Sequence, residues 1–450
     1  MDISPIQYTW SGEFGIGYQT VGDGPVDLLY LPPWGSNLDW NWKWDHHARF
    51  LRRLGSFSRL ILFDPRGWGT SDRYPPGGAA TLEELVGDML AVLDTLNLNQ
   101  SAILACNESG FQGLLAAALH PSRVRSLVLF HCSPAYTRKD DLPWEEGEDA
   151  SRSTIESIRR ATSWDQWTRQ FVRDQLPSHA DDEQAIGWFA AMQRLTEGPG
   201  SAITHVEALM SADVRDALSR IEARTLVLHR TDLGSGGWRI EASRYLAEHI
   251  TGSTYIELPG SDQYIWGGDW EPAVAEIQRF LTGHIQPPER DIAVATVMFT
   301  DIVNSTAQAA ELGDHRWNDL REQHDRVVRA ELRTHHGREI DTAGDGFLAT
   351  FASPGQALRC ATTIVAHVRE LGLEIRAGLH TGEVELEGDA VRGIAVHIGA
   401  RVSSLGGPNE VLVSQTVKDL VAGSNVTFED RGEHELKGVP DRWRLYRVMP

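Results

Sequence analysis

Two aspartates 44 residues apart sit where chemistry is easily built. Asp301 ends the apolar run VMFTDIVNST, and Asp345 lies on the glycine-flanked turn of DTAGDGFLATF, between two strand-like runs. If the two turns lie side by side, their carboxylates converge. Paired carboxylates hold Mg²⁺ or Mn²⁺, which keep part of their water and take phosphate oxygens for the rest. GIAVHIGARV places His397 and Arg401 four residues apart, on one face of a helix.

The elements that must position these residues follow from the hydrophobic pattern. A strand, Ala293 to Phe299, precedes a helix from about Arg316 to His335. Next come a hairpin (Glu339 to Ala343, Phe347 to Phe351), a helix (Gly355 to Leu371) and a strand (Glu374 to Leu379). That β-α-β-β-α-β order predicts an α+β, ferredoxin-like layer over residues 292–450. Residues 1–283 read differently. Short apolar strands at Asp27 to Leu31, Leu60 to Phe63, Ala102 to Ala105, Ser126 to Phe130, Thr225 to His229 and Tyr255 to Leu258 alternate with helical patterns such as Thr81 to Leu96 and Gly110 to His120. This predicts an α/β domain with a mostly parallel sheet. A strandless, Trp-rich stretch from about 136 to 220 reads as a helical cap. HIQPPERD, residues 284–291, reads as the linker, and 13 of the 15 tryptophans precede it.

Composition narrows the partners. Forty-two Lys and Arg against 63 Asp and Glu give a formal charge of −21, which argues against nucleic acid or an anionic membrane face. Three scattered cysteines exclude a disulfide framework or a zinc cluster. The opening residues lack the pattern of a secretory signal, and no run approaches the ~18 apolar residues of a membrane span. The expected compartment is the cytoplasm.

With RAGLHTGEVE, EVLVS and ELKGVPDRWRLYRV in order after the two aspartates, residues 291–450 resemble the class III nucleotidyl cyclases. The resemblance implies conversion of ATP to 3′,5′-cyclic AMP and pyrophosphate by two metal ions per active site, Mg²⁺ or Mn²⁺, at Asp301, Asp345 and Ile302. It puts the phosphates on Val303, Asn304, Ser305 and Thr306. It makes Arg401 the stabiliser of the transition-state phosphate, His397 the ribose-orienting residue in place of the family's Asn, and Lys437 a phosphate ligand. The base-reading positions fall on Asp341, where adenylyl cyclases carry Lys, and on Ala390. A carboxylate at Asp341 suits the donors of guanine, so GTP or relaxed base choice stays open. The resemblance also implies a homodimer, because in the family each active site draws on two subunits.

LPPWG at 31–35, FDPRGWGTSD at 63–72 and LVLHRTD at 226–232 make residues 10–283 resemble the α/β-hydrolases. Counting along the helix places the family's nucleophile position at Asn107, the acid at Asp232 and the base at Gln263. An amide cannot be activated as a nucleophile, and Gln263 cannot shuttle a proton. The expectation is a non-catalytic domain that keeps a pocket for an unidentified small ligand, with Trp34, Trp40, Trp42 and Trp44 at its mouth. The pairing of the two domains resembles the two-domain mycobacterial adenylyl cyclases. The alternative, resting on Ser109, is an esterase or lipase beside a cyclase-like domain that only binds nucleotide.

Overall fold

The computed structural model describes residues 1–75, 77–145, 147–234, 238–285, 292–387 and 390–449, without the side chains of 311, 314, 343, 386, 387 and 390. It divides into two units, Met1–Pro288 and Glu289–Pro450. Most of the expected linker, from residue 286 to 291, lies outside the described residues.

The first unit runs β1 (Gln7–Ser11), β2 (Phe14–Val21), β3 (Asp27–Leu31), α1 (Asp45–Gly55), β4 (Arg59–Phe63), α2 (Leu82–Thr95), β5 (Ser101–Cys106), α3 (Ser109–Leu119) and β6 (Val124–Phe130). The cap follows as α4 (Glu148–Arg160), α5 (Trp164–Gln175), α6 (Glu183–Thr196) and α7 (Pro199–Leu209). Then come β7 (Arg224–Arg230), α8 (Ile240–His249), β8 (Thr254–Leu258) and α9 (Glu271–Thr282). The sheet order is β1-β2-β4-β3-β5-β6-β7-β8. From β4 to β8 all pairs are parallel. Period-two alternation splits its strands between two cores. Leu28, Tyr30, Leu60, Leu62, Ala102 and Leu104 face one, with α1, α6 and α9. Leu29, Leu31, Ile61, Phe63, Ile103 and Ala105 face the other, with α2, α3 and α8. Both faces being covered is why these strands read as unbroken apolar runs.

The six expected strands are all present. The hairpin β1–β2, antiparallel to each other and with β2 antiparallel to β4, was not expected. Glycines at 15 and 17 interrupt β2 and polar residues break up β1, so neither shows the apolar run that marks the other strands.

The second unit runs β9 (Ile292–Ile302), α10 (Ser305–Leu312), α11 (Asp314–Thr334), β10 (Arg338–Ala343), β11 (Gly346–Phe351), α12 (Pro354–Glu370), β12 (Ile375–Glu387), β13 (Ala390–Arg392) and α13 (Ile394–Ser404). It ends with β14 (Val411–Ser414), α14 (Gln415–Leu420), β15 (Phe428–Glu435) and β16 (Arg442–Val448). The order β10-β11-β9-β12-β14-β16-β15 contains the ferredoxin-like arrangement, with β9 central and antiparallel to both β11 and β12. The helix expected from about Arg316 to His335 is present as α11, and an unexpected helix, α10, precedes it. Gly313, at φ 73°, separates α10 from α11.

α13 crosses the sheet closely because two glycines let it. A Cβ on Gly378 would stand 2.1 Å from the backbone nitrogen of Ser403, and one on Gly399 would stand 2.6 Å from Val297 Cγ2. The helix bearing His397 and Arg401 is thereby pressed onto β9 and β12.

Candidate active site

β9 ends at Asp301 and Ile302, and the β10–β11 turn carries Asp345 to the same place. The backbone N–H of Ile302 donates to Asp345 Oδ2 at 3.1 Å, so the two aspartates meet at one strand end. Asp301 is held from the other side. Arg376, its register partner on β12, donates to Asp301 Oδ2 from Nε at 3.1 Å and from Nη2 at 2.5 Å. Arg376 lies within the quoted RAGLHTGEVE run, yet sequence reasoning gave it no role. The signal was a cation starting one strand beside another that ends in aspartate.

The chain then turns sharply. Val303 N–H donates to the Glu374 carbonyl at 2.8 Å, and Asn304 takes left-handed angles (φ 59°, ψ 31°) before α10 begins at Ser305. Asn is the residue other than Gly that tolerates this conformation best. The first-turn N–H groups of Ser305 and Thr306 have no intrahelical partner, and they open beside the two aspartates, where a helix N-terminus favours anions.

The remaining predicted groups lie elsewhere on this unit. Arg401 is exposed on α13, and its Nε donates to the carbonyl of Lys437 at 3.2 Å, which brings those two predicted cations together. His397 is exposed one turn earlier. Among the described residues, none of the three forms a hydrogen bond or ion pair with Asp301 or Asp345. Asp341 is exposed on the edge strand β10, beside a register shift, and accepts the N–H of Thr342 at 2.8 Å. Ala390 pairs with Glu387 at the start of β13, and its side chain lies outside the described residues.

Hard oxygen donors with few carboxylates fit a divalent cation that shares its sphere with phosphate. Among the described residues no group of three or more His, Cys, Asp or Glu could hold a metal by itself. Asp301 and Asp345, with the Ile302 backbone, could hold one together with such a phosphate.

In the first unit the strand-to-helix elbow between β5 and α3 carries an amide. Asn107, between β5 and α3, has φ 57°, the strained turn that presents a nucleophile in hydrolases. Its Oδ1 is buried without a partner, and its Nδ2 stands 3.5 Å from the Gln263 carbonyl. Gln263 Oε1 accepts the N–H of Trp238 at 3.2 Å. Asp232 is exposed and accepts the Gly260 N–H at 3.1 Å, well engaged away from the elbow. Ser109 braces the turn: its Oγ accepts the Cys106 N–H at 2.9 Å and lies 2.9 Å from the Leu31 carbonyl. A histidine does stand nearby, which sequence counting missed because it lies on the neighbouring strand end. His131 donates from Nδ1 to the Gln263 carbonyl and accepts the Arg230 N–H at Nε2, both at 2.9 Å. Burial keeps it well below its ordinary pKa, hence neutral with both nitrogens occupied.

The four tryptophans expected at a pocket mouth do other work. Trp40 and Trp188 each donate an indole N–H to the other's carbonyl, at 3.0 and 3.1 Å, and Trp44 is buried against Trp188 and Trp266. Trp40 and Trp44 thereby tie the cap to the rest of the unit, since a large ring buries most area between two layers, while Trp42 donates to Gln19 Oε1 at 2.9 Å. A cavity of about 90 Å³ lies instead between the loop after β4, the start of α3 and α7, and neither Asn107 nor Gln263 lines it.

Comparison with known proteins agrees with both units. Residues 288–449 match the family model of the adenylate and guanylate cyclase catalytic domain, and residues 40–186 match that of the alpha/beta hydrolase fold. A Rhizobium meliloti (strain 1021) protein, named only provisionally as adenylate cyclase 3, is 31% identical over 133 residues, 28% of this chain and 23% of that protein. This chain thus spans about a quarter of that relative. The pimeloyl-[acyl-carrier protein] methyl ester esterase of Nitrosomonas europaea is 24% identical over 54% of this chain and 95% of its own. An esterase from Exiguobacterium antarcticum has the fold of the first unit, with TM-score 0.53 and 21% identity, covering 61% of this chain and 98% of its own.

Proposed function

We propose that this chain, an α/β-hydrolase-fold domain followed by a nucleotidyl cyclase domain, converts ATP to 3′,5′-cyclic AMP and pyrophosphate at sites shared by two copies. The observation that carries the reading is the meeting of Asp301 and Asp345 at the end of β9, beside the open first turn of α10. Two divalent cations bound there would acidify the ribose 3′-hydroxyl and neutralise the phosphates. The chain's own residues do the positioning. The amides from Val303 to Thr306 receive the β- and γ-phosphates, Arg401 and Lys437 supply positive charge, and His397 orients the ribose by a hydrogen bond. Asp341 and Ala390 flank the base.

Two copies are proposed because, among the described residues, Arg401 of α13 forms no hydrogen bond or ion pair with the aspartates of its own chain. Apolar side chains left in solvent on this unit, Val294 at 67% and Ile394 at 52% exposed, suit burial against a second copy. The first domain serves as a ligand-sensing, non-hydrolytic partner, a reading supported by the amide at the elbow and the fully engaged His131.

The test is product formation by the purified chain with Mn²⁺ and, separately, ATP, GTP, CTP and UTP. Cyclic AMP from ATP, abolished by Asp301→Ala with the fold retained, is the expected result. Mainly cyclic GMP would assign the base choice to Asp341 instead, and no cyclic product from any nucleotide would overturn the catalytic reading.

A further inference from the structure

The cavity of the first unit holds an unusual set of unsatisfied polar atoms. Its walls are mainly apolar, including Trp68, Leu82, Leu85 and Leu209. Into this lining come Tyr74, Glu108 and His205, and one polar atom of each (Oη, Oε1 and Nε2) is shielded from solvent without a hydrogen-bond partner. Buried polar atoms are satisfied in nearly all folded proteins, so three unpaired atoms around one void call for partners inside it, water or a polar ligand.

The charges around the void say what that occupant carries. Arg66 is spoken for: its Nε donates to both oxygens of buried Asp88, at 3.0 and 2.8 Å. Arg73 spends its guanidinium on the carbonyls of Gly67, Gly69, Leu195 and Thr196. Glu197 receives the indole N–H of Trp34 at 2.6 Å and feels Arg73. Neither Glu108 nor Glu197 has an ion pair among the described residues, and burial pushes both carboxyls up to about 7; Glu108 differs in having no cation acting on it and an oxygen without a hydrogen-bond partner. Burial also lowers His205 to about 4, so the imidazole is neutral near pH 7 and repels no positive ligand.

We propose that this cavity, displaced from the position of the hydrolase nucleophile, binds a small, mainly apolar amine, with Glu108 as its counter-ion, Tyr74 and His205 as further hydrogen-bond partners and Trp68 as an aromatic wall. An ammonium group gives Glu108 a charge partner and gains from the face of an indole, while its hydrocarbon body fills the apolar remainder. The site supplies a ligand class for the sensing role proposed above and rests on that reading only for its purpose. Binding can be measured whether or not the second domain turns over nucleotide.

The experiment titrates the full chain with phenylalkylamines of two to six methylenes and with the matching alcohols and carboxylates, read by calorimetry and by indole fluorescence. Saturable amine binding is expected, at least roughly tenfold tighter than the matching alcohol, with no binding of the carboxylate. Glu108→Gln should bring amine and alcohol to the same affinity. Should that variant fail to fold, Ala208→Phe fills the cavity from α7 without touching the acid, and is expected to abolish binding. Equal affinity for amine and alcohol in the unaltered chain, amine preference surviving Glu108→Gln, or no saturable amine binding at all would each overturn the proposal.

Discussion

At the scale of single residues, Arg376 has the most to reveal. Its guanidinium occupies Asp301, the carboxylate proposed to take the metal, so the two cations compete. Arg376→Ala is expected to lower the Mn²⁺ concentration for half-maximal cyclase activity several-fold. The cost to stability should stay within about 1 kcal/mol, because the pair is one-third exposed. A raised Mn²⁺ requirement would show instead that Arg376 orients Asp301. Asn107 offers a second test. At φ 57° it costs little as Asn, whereas Asn107→Ala should destabilise the chain by roughly 1–2 kcal/mol and Asn107→Gly by less, measured by denaturant unfolding. Asn107→Ser should release no ester hydrolysis, since the nearest imidazole has both nitrogens bonded. A third follows from Glu108. Its folded pKa, about 7, lies above the ordinary 4.5, so between those values the folded chain holds a proton that the unfolded chain has released. Stability from this group is therefore fully present below about pH 4.5 and falls as pH rises to about 7. Neutral buried histidines such as His205 slope the opposite way. The readout is accordingly the difference between wild type and Glu108→Gln, which should move in the variant's favour by up to a few kcal/mol across that window.

At the scale of elements, the helix α13 depends on bare backbone beneath it. Gly378→Ala places a methyl group 2.1 Å from the Ser403 nitrogen, and backbone cannot step aside cheaply. The expected result is a loss of about 1–3 kcal/mol in stability, with cyclase activity reduced at least tenfold in kcat and little change in KM, because His397 and Arg401 move with the helix. Unchanged activity would detach α13 from the chemistry. The same region shows what could be read in advance and what could not. Strands buried on both faces announced themselves as apolar runs, and the β10–β11 turn announced itself by its glycines. The packing of α13 was hidden, because no local pattern says that a glycine on β12 faces a helix 25 residues later. α10 was hidden for a related reason: its start is set by left-handed Asn304, with no side-chain cap bonded to the first turn. In the first unit the elbow position was legible by counting. The occupant of the neighbouring space, His131, was not, since proximity across parallel strands β5 and β6 leaves no trace in spacing. The cavity acids Glu108 and Glu197 were likewise invisible, because burial of a carboxylate is decided by the cap folding over it.

At the scale of the whole molecule, the question is whether one copy contains a working site. The aspartates and Arg401 of α13 are separately built, on strand ends and on a helix face, and apolar surface stands exposed on β9 and α13. If two copies complete each other, a two-fold dimer forms two equivalent sites, each taking Asp301 and Asp345 from one chain and Arg401 from its partner. Asp301→Ala and Arg401→Ala should then each be inactive alone. In a heterodimer of the two, one site carries both lesions and the other carries neither. Co-expressed at equal levels with random pairing, half the dimers are mixed and half their sites are intact, so activity should return to about a quarter of wild type. The assay is cyclic-nucleotide formation per chain, with the two variants carrying different affinity tags so that the mixed species can be isolated and its activity should approach one half. An isolated mixed dimer without activity would place both groups in the same chain's site and would leave the exposed apolar face of the second unit to some other contact.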